Sequence, residues 1–232
     1  MKRIGLLLML AGGIAVGCNN RTDNGAVRTT GNGDYGTTGT TGTAGTATAK
    51  SGDIDFVHDL TIANKAEVEL GKLAQQKSSN AAVKNFGQMM VDDHTAAGTK
   101  LAEVASMHHI DAPAALDQKH QDLYDKLSKL QGDAFDREYM SAMVDGHQDV
   151  LSDLEGRIDK PSLSAWKKIM DAVPGNQTPT QQPPTVVAET SDDPTTMSIN
   201  QWAATAYPTV YKHLQSAKRT NDAVTHNQRT TQ

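Results

Sequence analysis

Four stretches of this chain carry apolar residues at alternating spacings of three and four, and no other feature restricts the fold as strongly. That spacing lines the apolar side chains along one face of a helix. No run of alternating β-branched residues indicates a strand. The sequence therefore predicts an all-α protein, an antiparallel four-helix bundle over residues 53–222. The residues in phase are Phe56, Leu60, Ala63, Leu70 and Ala74; Val83, Phe86, Met90, Ala97, Leu101 and Val104; Phe135, Tyr139, Met143, Val150 and Leu154; and Ile199, Ala203, Ala206, Val210 and Ala217.

Shorter signals set the expected boundaries. Asn80 is a good N-cap for the second long helix, and Gly132-Asp133 marks the start of the third. Two short extra helices are expected between the long ones, around 116–130 and 162–173. Residues 174–197 are rich in Pro, Gln and Thr and predict a disordered insertion, after which the fourth long helix opens near residue 198 and a tail follows at 223–232.

The N-terminus has the layout of a secretory signal. Lys2 and Arg3 precede an apolar run over 4–16 that is shorter than the ~20 residues of a spanning helix. Residues 15–18, Ala-Val-Gly-Cys, resemble the lipobox of bacterial lipoproteins, so residues 1–17 are expected to be removed and Cys18 to be lipidated. Asn19, where an Asp would favour inner-membrane retention, points to the outer membrane. An incidental cysteine in an ordinary signal peptide is the alternative.

A Gly- and Thr-rich stretch follows the cysteine. Residues 18–52 contain too few apolar side chains to form a core, so they predict a flexible linker between the lipid anchor and the bundle. Taken with Cys18, this predicts a protein on the periplasmic side of a bacterial envelope whose membrane contact is its lipid.

Charge and cysteine content exclude several functions. The chain has 22 Lys+Arg against 27 Asp+Glu, which is not the basic excess of a nucleic-acid-binding protein. One cysteine cannot form an internal disulfide or a cysteine-based metal cage. No Ser or Cys nucleophile lies in a recognisable catalytic motif, and this disfavours an enzyme without excluding one.

Each long helix carries one polar, metal-competent side chain on its apolar stripe. Glu67 lies between Ala63 and Leu70 in the first helix, and the later helices carry His94, His147 and His213 in the equivalent positions. All four lie near the middle of their helices. At 1.5 Å rise per residue, mid-helix positions of an antiparallel bundle share a layer, so these side chains are expected to converge.

Several motifs resemble the bacterial secreted, ferritin-like family called domain of unknown function 4142. The resemblance covers roughly 56–217 and implies a ferritin-like bundle without an established biochemical activity. Its motifs are Glu-Val-Glu-Leu-Gly-Lys-Leu-Ala at 67–74, Val-Lys-Asn-Phe at 83–86, Met-Val-Asp-Asp-His at 90–94, Gly-Asp-Ala-Phe-Asp-Arg-Glu-Tyr at 132–139, His147, and Pro-Thr-Val-Tyr-Lys-His-Leu at 208–214.

One interpretation of the polar layer is a mononuclear metal site. Three imidazoles and a carboxylate suit Zn, Cu, Fe or Mn. Glu69 or Asp93 would orient a metal ligand without binding the metal itself. Met90 and Met143 would add soft ligands that favour copper if they point inward. A di-iron centre is disfavoured, because Glu-x-x-His is required on two helices and Val stands three residues before each histidine.

The other interpretation is a hydrogen-bonded layer that fixes helix register in an envelope-anchored lipoprotein with a structural or partner-binding role. Buried histidines usually have this role, with Glu67 or Asp93 as partners. No feature identifies a protein partner. The sequence leaves both interpretations open, and it places His108, His109 and His120 near helix ends, where solvation is expected.

Overall fold

A computed structural model describes residues 49–173, 177 and 179–226. The predicted signal peptide, Cys18, most of the predicted linker and the last six residues lie outside this part of the chain. The described residues contain no strand beyond one isolated bridge, and none of their helices is long and apolar enough to cross a membrane. The helices are α1 (Ser51–Lys77), α2 (Ala81–Met107), α3 (Gln118–Ser128), α4 (Gly132–Glu155), α5 (Lys160–Met170) and α6 (Pro194–His226).

The four long helices, α1, α2, α4 and α6, form a bundle around two apolar clusters. The first cluster contains the start of α1, the end of α2, the end of α4 and the start of α6, represented by Phe56, Leu101, Leu154 and Ile199. The second contains the opposite ends of the same helices, represented by Leu73, Phe86, Phe135 and Ala217. Burial of these faces stabilises the bundle and confirms the predicted fold class.

The connection between α2 and α4 runs the length of the bundle. Ile110, just after α2, packs in the first cluster, whereas Leu127 of α3 packs in the second. Because the chain crosses back before α4 begins, α2 and α4 run parallel. One long crossover of this kind is the arrangement of ferritin-like bundles.

Two glycines allow α1 and α2 to approach closely. A Cβ added at Gly71 would lie 2.5 Å from the carbonyl oxygen of Gly87, and one at Gly87 would lie 2.9 Å from the Cβ of Ala74. The start of α2 is capped as predicted, since the Asn80 side chain accepts hydrogen bonds from the N–H groups of residues 82 and 83. The close approach of the two helices at Gly71 and Gly87 brings the α1 and α2 parts of the polar layer together.

The predicted disordered insertion over 174–197 is wrong for its C-terminal half. Val186 and Ala188 are buried in the first cluster. The Glu189 N–H donates to the carbonyl of Arg157, and the Asp159 N–H donates to the carbonyl of Val187, which makes a short antiparallel bridge. We call residues 184–192 the strap. Buried and exposed side chains alternate in Thr-Val-Val-Ala at 185–188, so this segment has an apolar face. The composition of the Pro-rich residues around it does not indicate that face.

The ends of α6 also differ from the prediction. The helix begins at Pro194 rather than near 198, because the side chain of Asp193 accepts a hydrogen bond from the Thr196 N–H and caps it. It continues to His226, through the first residues of the predicted tail, and Val224 is buried in the second cluster. The first helix also begins earlier than expected, because α1 begins at Ser51, two residues before the predicted start of the bundle at residue 53.

Candidate metal centre

Three histidines from three helices face one another inside the bundle. His94 lies on α2, His147 on α4 and His213 on α6, and all three are buried. Their ring centroids are 5.6 Å apart for His94 and His147, 5.3 Å for His94 and His213, and 5.5 Å for His147 and His213. The imidazoles therefore form a nearly equilateral triangle at the centre of the molecule.

One nitrogen of each ring is held by an acceptor on the outside of the triangle. His94 Nδ1 is 2.9 Å from Asn64 Oδ1, His147 Nδ1 is 2.8 Å from the carbonyl oxygen of Met143, and His213 Nε2 is 2.8 Å from Asp93 Oδ2. The Asn64 amide is oriented by its own Nδ2, which donates to the carbonyl of Leu60 at 2.8 Å. Since all three partners are acceptors, each outer nitrogen carries the ring's N–H.

The other nitrogen of each ring has no hydrogen-bond partner. These atoms are His94 Nε2, His147 Nε2 and His213 Nδ1, and all are buried. A nitrogen of each ring lies within 4.8 Å of one from both other rings. In neutral imidazoles with the tautomers set by the outer acceptors, the inner nitrogens carry lone pairs. Three buried acceptors are then grouped without a donor from the protein, and a cation that joined them would remove the cost of leaving them unpaired.

Burial keeps these rings neutral. Desolvation lowers the pKa of His147 from 6.5 to about 4, assisted by nearby His213 and opposed by the bond to Met143. Desolvation also lowers the pKa of His94 well below its ordinary value, with added repulsion from the other two rings. The pKa of His213 is lowered by burial, although Asp93 opposes the shift. Neutral imidazole is the form that coordinates a metal.

The size of the triangle suits a single transition-metal ion. A metal–nitrogen bond of about 2.05 Å and about 1.15 Å from nitrogen to ring centre place each centroid about 3.2 Å from an ion, so tetrahedral angles give centroids about 5.2 Å apart. The observed separations of 5.3–5.6 Å are close to this value. The ring nitrogens lie within 4.8 Å of one another, whereas ligands of one tetrahedral ion are about 3.3 Å apart, so the rings would turn toward the ion on binding.

Glu67 lies beside the triangle and is not a member of it. Its Oε1 is 3.7 Å from His147 Nδ1, which is the outer nitrogen of that ring, and its Oε2 has no hydrogen-bond partner. Among the described residues, the group close enough to share an ion contains only the three histidines. Burial raises the pKa of Glu67 to about 8, so at neutral pH this side chain is protonated.

The two acidic residues predicted to orient ligands have different positions. Asp93 is the hydrogen-bond partner of His213. Glu69 is exposed and pairs with Lys72 at 2.8 Å, on the outside of α1, so the structure does not bring it to the histidines. Met90 and Met143 pack in the second apolar cluster, and neither lines the cavity beside the histidines. The donor set is therefore three imidazole nitrogens.

Sequence analysis did not identify Asn64 or the carbonyl of Met143. Asn64 is three residues before Glu67 and four after Leu60, which places it on the same face of α1, and this spacing would have found it. A backbone carbonyl leaves no sequence signal. His120 pairs with Asp117 at the start of α3, and His108 contacts Thr195 at the end of α2. These two histidines, and exposed His109, lie outside the group.

The histidines also line a cavity of about 230 Å³ between the long helices. Several seam positions predicted to be core, Ala63, Ala97, Val150 and Ala206, are only half-buried. The reason is that they line this cavity, where small side chains leave the bundle incompletely filled.

Comparison with known proteins identifies one family. The model of a domain of unknown function, DUF4142, matches residues 38–172, more than half of the chain. The match includes Glu67, His94 and His147 and ends before α6, which supplies His213. No curated protein and no solved structure matches the sequence. The extent of the family match shows that this chain belongs to the DUF4142 family.

Proposed function

We propose that this protein binds one divalent transition-metal ion through His94, His147 and His213. The observation that carries the proposal is the set of three buried, unpartnered ring nitrogens in neutral rings whose other nitrogens are all held by acceptors. Metal-binding histidines commonly donate their second N–H to a carboxylate or carbonyl in this way. A purely hydrogen-bonded layer would instead pair the inner nitrogens with donors.

The donor set favours metals that accept imidazole. Zn, Cu and Fe suit three nitrogen ligands, and Mn, which prefers oxygen, should bind most weakly of the four. We expect the three neutral imidazoles to follow the usual order of affinities for divalent metals. Cu(II) should therefore bind more tightly than Zn(II), and Zn(II) more tightly than Fe(II). The proposed role is metal binding in the cell envelope, and no reaction is assigned.

The test uses tag-free residues 19–232, freed of metal with a chelator and then equilibrated with each ion. We expect one Zn(II) or Cu(II) per chain after desalting. At a free ion concentration 100 times Kd, binding should stabilise the fold by about 2.7 kcal/mol, which corresponds to a rise of roughly 5–11 °C in Tm for a domain of this size.

Matched variants separate the site from adventitious binding. His94→Ala and His147→Ala should each abolish both the stoichiometric ion and the rise in Tm, whereas His226→Ala, which changes an exposed histidine at the end of α6, should leave both intact. Asn64→Ala should weaken binding 10–100-fold by releasing the His94 ring. Equal metal content in the wild type and both site variants, with no change in Tm, would contradict the proposal.

We further propose that the bundle is held at the periplasmic side of a bacterial membrane, most readily the outer membrane, by lipid on Cys18. The basic start, short apolar run and Gly-Cys junction support this. Cys18→Ser in the full-length chain should move the protein from the membrane fraction to the soluble fraction. Unchanged fractionation of that variant would refute lipid anchoring.

A further inference from the structure

The cavity beside the histidines is more than empty packing space. Its inner wall is apolar and buried, formed by Leu60, Leu154, Trp202 and Val210, and the three histidines lie at one side. An apolar wall beside a few polar groups is the usual lining of a small-molecule site, and it favours a compact apolar body on that side.

The cavity opens to solvent between α2 and α6. Ala96 and Lys100 of α2 and Thr205 and Thr209 of α6 line it and are exposed. Half-buried Ala97 and Ala206 lie in the same gap. A small molecule can therefore reach the histidines without unfolding the bundle, and it passes a lysine on the way.

An ion held by three histidines would lack a fourth ligand. Zinc sites with three protein ligands keep an open position for water or substrate, whereas structural sites are closed by four. The three ligands here are neutral imidazoles, so they leave the charge of a divalent ion without compensation. An anionic oxygen donor is the best partner for that position. Lys100 adds positive charge at the entrance, whereas Asp93, which also lines the cavity, accepts the His213 N–H and compensates the ion only through that ring.

We infer that the cavity binds a small carboxylate with a compact apolar body, such as an aryl or branched aliphatic acid. The carboxylate would take the open position on the ion, and the apolar body would lie against Leu60, Leu154 and Trp202. This inference rests on the proposed metal site.

Three probes separate the contributions of the head and the body of the ligand. Acetate supplies the carboxylate alone, benzyl alcohol supplies the ring without the charge, and benzoate supplies both. Each is titrated into the Co(II)-loaded protein, residues 19–232, with the visible spectrum of cobalt and calorimetry as readouts. We expect benzoate to bind at least tenfold more tightly than either acetate or benzyl alcohol, since burial of the ring adds to the coordination of the carboxylate.

Filling the cavity should remove this preference without removing the metal. Ala206→Leu places a larger side chain in the gap between α2 and α6, and Ala97→Leu does so from the facing helix. Each should reduce benzoate affinity at least tenfold and leave cobalt stoichiometry and acetate binding unchanged. Ala102→Leu, at an exposed position on α2, is the control and should bind benzoate as the wild type does.

The outcomes distinguish the two proposals. Failure of the wild type to take up Co(II) would overturn both the metal site and the ligand. Stoichiometric Co(II) with equal affinities for acetate and benzoate, or with no binding of either, would overturn only the ligand proposal. Because that comparison uses the wild type, it holds even if the leucine variants do not fold.

Discussion

We expect Glu67 to destabilise the metal-free protein as the pH rises from 6.5 to 8, relative to a variant that cannot ionise at this position. This carboxyl group is buried in the polar layer, where desolvation raises its pKa from 4.5 to about 8. The unfolded chain gives up the proton near pH 4.5, but the folded protein keeps it until about 8. Folding is therefore favoured by this group at low pH, and that contribution is lost as the pH rises through 8.

The histidines act in the opposite direction and at lower pH. Their pKa values are lowered in the folded state, to about 4 for His147. Below pH 6.5 the unfolded imidazoles take up protons that the folded ones do not, so stability falls as the pH falls. Three such groups outweigh one carboxyl below about pH 7. The unfolded imidazoles are still half protonated at 6.5, so they continue to offset part of the Glu67 loss until they are deprotonated near pH 8, and stability should be greatest near pH 7.

The alkaline loss has a definite size. Each pH unit between the two pKa values of Glu67 costs about 1.4 kcal/mol, so from pH 6.5 to 8 the free energy of unfolding should fall by about 2 kcal/mol relative to a variant that lacks this carboxyl but keeps the histidines. In thermal unfolding this is a fall of roughly 4–8 °C in Tm for a domain of this size. Urea unfolding in the presence of a chelator, repeated at each pH, measures it directly.

Two neighbouring variants test the assignment. Glu67→Gln keeps the shape of the protonated side chain and cannot ionise, so this variant should not lose stability between pH 6.5 and 8 and should gain about 1 kcal/mol as the unfolded histidines lose their last protons. Glu69→Gln changes an exposed carboxylate two residues away on the same helix and should follow the wild type. The same pH dependence in the wild type and in Glu67→Gln would refute the assignment.

Three further predictions concern the fold and are measured by chemical denaturation. Gly71→Ala should lower the free energy of unfolding by about 1–3 kcal/mol, because the added Cβ forces the close α1–α2 contact apart. Gly98→Ala, whose added Cβ meets only an ordinary contact, should be neutral or stabilising by up to about 1 kcal/mol. Equal effects of the two variants would contradict the close approach of α1 and α2. Val186→Asp should lower the free energy of unfolding by at least about 2 kcal/mol, because it places a charge in the apolar cluster. Val187→Asp changes the exposed neighbour and should alter stability by less than about 0.5 kcal/mol. A neutral result for both variants would show that the strap is not packed. Asn80→Ala should cost about 1 kcal/mol through loss of the α2 cap, and no change would contradict that cap.

Local sequence determined the helices and the identity of the polar layer. The three-and-four spacing of apolar residues predicts all four long helices, because a helix in a bundle must bury one continuous stripe. The same spacing identifies His94, His147 and His213 as interruptions of those stripes. Helix geometry alone places mid-helix positions of antiparallel neighbours in one layer, so the sequence predicts that these residues share a layer.

The strap shows where local reasoning was insufficient. Proline and glutamine around residues 174–185 predict disorder by composition, but Val186 and Ala188 are buried in the first apolar cluster, which exists only after the bundle has formed. Burial of two side chains and backbone bonds to residues 157 and 159 order a segment that could not order itself.

Only the tertiary structure decided which polar residues face one another and which nitrogen of each ring is available. Glu67 and the histidines share a layer, yet the rotation of α1 leaves the carboxyl beside the outer nitrogen of His147 rather than inside the triangle. The ring tautomers are fixed by three acceptors, Asn64, Asp93 and the carbonyl of Met143. These acceptors are side-chain and backbone groups on three different helices. Sequence spacing sets the face of a helix to within about one residue, or about 100° of rotation. The orientation of lone pairs toward a common point depends on ångström-scale packing between helices, which no single helix encodes.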